Sequence, residues 1–153
     1  NVNQDMSETS PTDDALRQRV TTSLDRQGMM QALGVKLLAV APGTVTLALP
    51  YSDRVTQQQG GFHGGAMGAL ADIAGGYAAL TVAPEGMEVT TVEYKINFLA
   101  AFQGGELQAT GRVVRGGKRI IVTTAEVVHV AADGKRSDCA VMQQTLVPVP
   151  KTY

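Results

Sequence analysis

The sequence predicts an α+β domain: an antiparallel sheet of about six strands packed against one long central helix, with a further helix at the N-terminus. The order of elements is the first observation. A helical segment, two strands, a long helix and four strands leave too few βαβ alternations for a doubly wound parallel sheet. The second is residues 63–82, which are rich in Ala, lack strand alternation and stop before Pro84. The third is that the Ala and Gly residues of this helix lie all round it. A surface helix would carry a one-sided apolar stripe, so this one is expected inside a sheet that wraps it closely.

Each element has its own signal. Residues 1–10 are polar and aperiodic, and are expected to be a disordered or appended tail, with Met6 a candidate natural start. Residues 11–33 form an N-terminal helical extension. Thr12 is the expected N-cap, Asp13 and Asp14 suit the positive end of the dipole, and Leu16, Val20 and Leu24 make a stripe. Gly28 interrupts it, and Met29 to Leu33 continue as a short helical turn ending at Gly34. Strands 35–40 and 44–49 flank the turn pair Pro42-Gly43. After the long helix, residues 89–99 alternate, with Val92, Tyr94, Ile96 and Phe98 on one face and Thr91, Glu93, Lys95 and Asn97 on the other. Strands 106–115 and 118–130 are joined by Gly116-Gly117, read as a two-residue hairpin turn. Asp133-Gly134 turns the chain into a last strand, 136–147. Residues 11–149 form one domain and 150–153 a C-terminal tail.

Composition narrows the function classes. The 153 residues suffice for one ordinary core, and 13 basic against 14 acidic residues give a formal charge of −1. A charge this close to zero argues against a strong sequence-independent pull toward nucleic acid or an anionic membrane, while leaving room for a local basic patch. The single cysteine, Cys139, has no internal partner, and no thiol or histidine cluster has metal-ligand spacing. The expectation is a metal-free, cytoplasmic protein.

Seven of the 17 glycines fall between Gly60 and Gly76. A glycine-rich loop entering a helix can offer free backbone N–H groups and the positive dipole end to an anion or developing oxyanion. A phosphate-binding loop would need Gly-Lys-Ser/Thr, which is absent. Taken alone, these glycines read as tight turns and close packing. Gly68, Gly75 and Gly76 lie inside the helix, where each costs about 0.5–1 kcal/mol against Ala; close approach of sheet or partner is the expected compensation. Asp72 alters the balance, because an unpaired carboxylate is costly in a buried helix. It is either a structural hydrogen-bonder or the nucleophile or general base of a reaction centre.

His63-Gly64-Gly65 with Asp72 nine residues after the histidine resembles the hotdog-fold acyl-CoA thioesterases, in particular the PaaI-like (phenylacetic acid degradation) branch. The likeness runs from about Val35 to Val149 and includes the strand Val92-Glu93-Tyr94-Lys95-Ile96-Asn97-Phe98-Leu99. The resemblance implies Asp72 as catalytic carboxylate and the Gly64 backbone N–H as oxyanion donor. It puts Gln57 near the reacting group, Thr91 where a hydroxyl holds water, and His63 and Gly65 in the loop that meets substrate. The chain departs from the family at Ala100-Ala101, where members often carry proline, and at Gln57, which opens a triple-Gln run. No cofactor is implied beyond coenzyme A within substrate and product.

Eight helical residues separate Gly64 from Asp72, a rise of about 12 Å, whereas both must come within about 3–3.5 Å of one carbonyl. One chain therefore cannot use both on one substrate. Two antiparallel helices across a two-fold axis can, so the expected partners are an acyl-CoA and a second copy of the chain. The expected assembly is a homodimer, with a homotetramer (a dimer of dimers) as the next level. Arg115, Lys118 and Arg119 at the Gly116-Gly117 hairpin could meet the nucleotide phosphates, or be a solvated turn that discourages edge pairing. Cys139 reads as inert core, His129 as a surface or sheet residue, and Met29-Met30 as core filling or a cap on an acyl pocket. The acyl group is open: aromatic by analogy, medium-chain aliphatic next. Two rival functions remain, a catalytically silent acyl-CoA binding module and an enoyl-CoA hydratase or dehydratase on the same fold.

Overall fold

The computed structural model describes residues 11–153; the tail 1–10 lies outside them. Helix α1 (Pro11–Asp25) is already formed at Pro11, so Thr12 lies within it and is not its cap. Proline's fixed φ suits the first turn of a helix. The break before α2 (Gly28–Leu33) falls at Arg26-Gln27, and Gly28 opens the second helix instead of interrupting the first. Gly34 ends it at φ 80°, its N–H meeting Gln31 O and Met30 O.

Strands β1 (Lys36–Ala41) and β2 (Thr44–Pro50) are joined by Pro42-Gly43, with Gly43 at φ 75° as a type II turn requires. Helix α3 (Gly64–Val82) follows, then β3 (Met87–Phe98), β4 (Glu106–Gly116), β5 (Ile121–Val130) and β6 (Arg136–Pro150). The six strands form one antiparallel sheet in the order β1-β2-β4-β5-β6-β3, which leaves β3 at an edge. The β4–β5 connection is not a two-residue turn. Gly116 pairs with Ile121, and residues 117–120 form the loop, closed by Gly117 N–H to Ile120 O at 2.9 Å.

The sheet wraps α3, as the all-round apolar helix predicts. Leu47, Leu49, Leu107, Ala109 and Val127 are buried together with Leu70, Ala71 and Ala74 of the helix. The closest approach is at Gly111 of β4, where a Cβ would lie 2.1 Å from Ala74 O. Of the three interior helix glycines, Gly68 and Gly75 are crowded by β-strand side chains, but Gly76 has only Leu146 Cδ2 at 3.8 Å and is not explained by packing against the sheet of its own chain. Helix α1 is tied to the far end of α3 by Arg19. Its guanidinium donates to Ala83 O (2.9 Å), Pro84 O (2.8 Å) and Met87 O (2.9 Å), gripping the C-cap of α3 and the turn that leads into β3.

One local irregularity matters for everything that follows. Thr91 pairs with Leu146 and Glu93 with Thr145, so Val92 is an extra residue, a β-bulge. Strict alternation across 89–99 therefore fails. The bulge turns Thr91 to the helix side, the side of Tyr94, Ile96 and Phe98, and away from Glu93, Lys95 and Asn97. It also leaves Val92 61% exposed on the sheet edge.

Candidate active site

Gly64, Gly68 and Asp72 share one face of α3 at four-residue spacing. β3 meets this face in sequence. A Cβ on Gly64 would lie 3.2 Å from Phe98 Cζ, a Cβ on Gly68 would lie 3.1 Å from Tyr94 Oη, and Thr91 Oγ1 donates to Asp72 Oδ1 at 2.7 Å. The two glycines make room for aromatic rings, and the bulge delivers the hydroxyl to the carboxylate.

Asp72 is half-buried and has a second donor, Gln144 Nε2, at 2.8 Å from the same Oδ1. Among the described residues Oδ2 receives none. Gln144 is fully buried in β6, and its Oε1 accepts from Thr123 Oγ1 of β5 at 2.7 Å. Sequence reasoning missed Gln144 and Thr123. A signal existed: Gln144 falls on the inward parity of β6 with Ala140, Met142 and Leu146, all buried and apolar.

The N-terminus of α3 is built by the glycine loop. His63 caps the helix, its Nδ1 accepting from Gly65 N–H at 2.7 Å while its carbonyl takes Ala66 and Met67 N–H at 3.0 and 3.1 Å. Gly64 N–H meets no acceptor among the described residues, and it sits at the positive end of a 19-residue helix. Gln57 belongs to the same loop: its backbone N–H donates to Gly61 O (2.9 Å) and its carbonyl accepts from Gly60 N–H (2.9 Å). Behind the loop, Phe62 packs edge-on to Tyr51 and His129. The His129 ring stacks on Phe102 at 4.4 Å and reaches Gly104 O at 2.9 Å, which makes it a buried residue of the sheet.

The basic hairpin is elsewhere. Gly116 abuts Val82 at the C-terminal end of α3, about 27 Å along the helix from Gly64. Arg115, Lys118 and Arg119 are exposed there, and a single chain does not bring them to the glycine loop.

A cleft of about 210 Å³ opens beside Asp72 and Thr91 and runs between α3, β3 and α1. Ile73, Gly76, Val89 and Leu146 form its middle. Its other end is polar: Tyr77 Oη accepts from Gln27 Nε2 at 2.6 Å and lies 3.1 Å from Ser23 Oγ, with Glu88 alongside. Burial pushes the Tyr77 phenol up from its ordinary value. The N-terminal helix is thus a wall of the cleft. Neither Met29, which is exposed, nor Met30, which is core, reaches it. Cys139 is buried against Met67 (Sγ to Sδ 3.2 Å), with burial raising its thiol, so it is held in its inert form.

A long helix wrapped by a six-stranded antiparallel sheet defines the hotdog class of fold, and here the helix carries a carboxylate and starts at an N–H with no acceptor among the described residues. A family model described as Thioesterase superfamily matches residues 59–131, the span from the glycine loop through β5. A Saccharolobus solfataricus protein named as an inferred esterase is 39% identical over 67% of this chain and 71% of its own length. The 1,4-dihydroxy-2-naphthoyl-CoA hydrolase of Listeria monocytogenes is 30% identical over 60% of this chain and 74% of its own. Among solved structures, a thioesterase family protein from Silicibacter pomeroyi superposes with a TM-score of 0.85 at 35% identity, over 89% of this chain and 99% of that one. The PaaI protein of E. coli shares the fold, with a TM-score of 0.80 at 22% identity over 92% and 98% of the two chains. The chain belongs to the thioesterase superfamily and is a thioester hydrolase.

Proposed function

We propose that this protein hydrolyses acyl-CoA thioesters to free coenzyme A and a carboxylic acid, at two equivalent sites each shared by two copies of the chain. One observation carries the reading: Asp72 has one carboxylate oxygen held by two donors and the other without a donor among the described residues, beside a cleft of acyl-group size. Gly64 supports it with an N–H at a helix start that meets no acceptor among the described residues, suited to a developing oxyanion. The two groups are about 12 Å apart along one helix, so Asp72 of one chain works with Gly64 of the other.

In the general-base route, Asp72 takes a proton from water as the water oxygen bonds to the thioester carbon. Gly64 N–H stabilises the oxyanion, and its collapse breaks the C–S bond as Asp72 returns the proton to the departing sulfur. In the nucleophilic route, the Asp72 carboxylate attacks and expels the thiolate, which takes its proton from solvent. Water then cleaves the mixed anhydride. Both use the same geometry, and incorporation of oxygen-18 into Asp72 in a single turnover belongs to the second alone.

The edge strand β3 suits the role of dimer surface. It pairs with β6 on one side only, and Val92, Tyr94, Phe98 and Leu99 are exposed along it. His63, Gly65 and Gln57 shape the loop that receives the thioester. The acyl group enters the cleft walled by α1. The basic hairpin Arg115, Lys118 and Arg119 serves coenzyme A phosphates from the partner of the chain that supplies Gly64.

A panel of aromatic and aliphatic acyl-CoAs assayed for thiol release tests the reading. Hydrolysis of at least one, reduced about a hundredfold or more by Asp72→Asn, is expected. Tight binding without thiol release, unchanged by the substitution, contradicts it and favours a binding module.

A further inference from the structure

We propose that Gln144 is a positioning residue that decides which oxygen of Asp72 reacts. This rests on Asp72 being the catalytic carboxylate. Gln144 has no exposure at all, and a primary amide is an expensive side chain to hold in a core where Met or Leu would fill the same volume. Every polar atom of its amide is nonetheless engaged. Thr123, itself fully buried, donates to Oε1 at 2.7 Å, which fixes the orientation of the amide and turns Nε2 toward Asp72. Nε2 then lies 2.8 Å from Asp72 Oδ1, and 3.4 Å from both the Asp72 carbonyl and Thr91 Oγ1.

Thr91 alone could hold either carboxylate oxygen, since the carboxyl group rotates with little preference between its two ends. Two donors converging on Oδ1 from different strands remove that freedom. Oδ2 is left as the oxygen that takes a proton from water or attacks the thioester carbon. The helix is cut away to admit this arrangement: a Cβ on Gly75 would stand 1.8 Å from Gln144 Oε1 and 2.6 Å from Thr123 Oγ1. The line Thr123–Gln144–Asp72 thus crosses from β5 through β6 to α3 and ends at the reacting group.

Three measurements on the full chain decide it. Gln144→Met keeps the volume and removes the donor; it should lower kcat about tenfold to a hundredfold while KM changes less than about threefold. Gln144→Glu keeps the shape and can donate only while its new carboxyl is protonated. Two adjoining carboxyls share one proton, which is lost as pH rises. Its kcat should therefore fall about tenfold or more from about pH 6 to about pH 9, a fall absent from the natural protein. The third needs no activity: Asp72→Ala should shift the Gln144 side-chain amide signals in a ¹H–¹⁵N spectrum and speed their exchange with solvent. Natural kcat in folded Gln144→Met, a pH profile for Gln144→Glu like that of the natural chain, or amide signals indifferent to Asp72→Ala would each overturn the proposal. If no acyl-CoA is hydrolysed even by the natural chain, the hydrolase reading fails, and the amide spectrum still decides whether Gln144 holds Asp72.

Discussion

A Cβ on Gly75 would lie 1.8 Å from Gln144 Oε1, so the absence of a side chain on the helix and the buried amide on β6 are two halves of one fit. Gly75→Ala cannot be accommodated without moving Gln144, Thr123 or the helix. Overpacking of this kind costs about 1–3 kcal/mol. Urea unfolding should show that loss, and thiol release should fall with it although Gly75 does not line the cleft.

Gly111 and Gly76 make the opposite pair. A Cβ on Gly111 meets the Ala74 carbonyl at 2.1 Å, backbone against backbone, and neither side can yield. Gly111→Ala should cost about 3 kcal/mol or more and reduce the yield of folded protein. Gly76→Ala meets only Leu146 Cδ2 at 3.8 Å. It should stabilise α3 by about 0.5–1 kcal/mol, and because Gly76 lines the cleft, it should slow hydrolysis of the bulkier acyl groups.

Stability should fall in alkali. Burial raises the Tyr77 phenol above 10.0 and the Cys139 thiol above 9.0 in the folded chain. The unfolded chain gives up these protons first as pH rises, so in that range it binds fewer than the folded one. The unfolding free energy then decreases with pH. The contribution is whole below the unfolded values and is lost as pH climbs through the folded ones. Denaturant midpoints measured from about pH 8 to about pH 11 should decline, less steeply in Cys139→Ala than in the natural chain.

Gly64→Pro removes the one N–H proposed to hold the oxyanion. Proline suits the first helical position, and His63 at φ −68°, ψ 135° has the extended backbone that precedes a proline. Folding should survive with Phe98 shifting aside, while kcat falls about 10²–10³-fold. Natural kcat in this variant would remove Gly64 from the mechanism.

Much of the fold was legible before any coordinates. Pro84 and the Ala/Gly composition bounded α3, Pro42-Gly43 marked the turn between β1 and β2, and the order of elements disfavoured a doubly wound parallel sheet. The candidate site was legible only where chemistry and helix geometry coincide, at His63, Gly64 and Asp72, and their catalytic roles are proposals. The resemblance put Thr91 where a hydroxyl holds water, but its bond to Asp72 was not legible: strict alternation set it with Glu93, Lys95 and Asn97, because an extra residue in β3 leaves no local mark. Gln144 lies 72 residues from Asp72, and only the pairing of β6 between β5 and β3 brings the two together. The Gly116-Gly117 turn lengthened to residues 117–120 because Gly117 N–H closes onto Ile120 O, beyond Lys118 and Arg119.

The central claim is that each site takes Asp72 from one chain and Gly64 from the other. Asp72→Asn and Gly64→Pro proteins, each inactive alone, can be unfolded together and refolded in equal amounts. A mixed dimer then holds one site with both natural residues and one with neither, and half of all dimers are mixed. The account predicts recovery of about a quarter of natural activity per chain. A mixture that stays as inactive as its two components would contradict it.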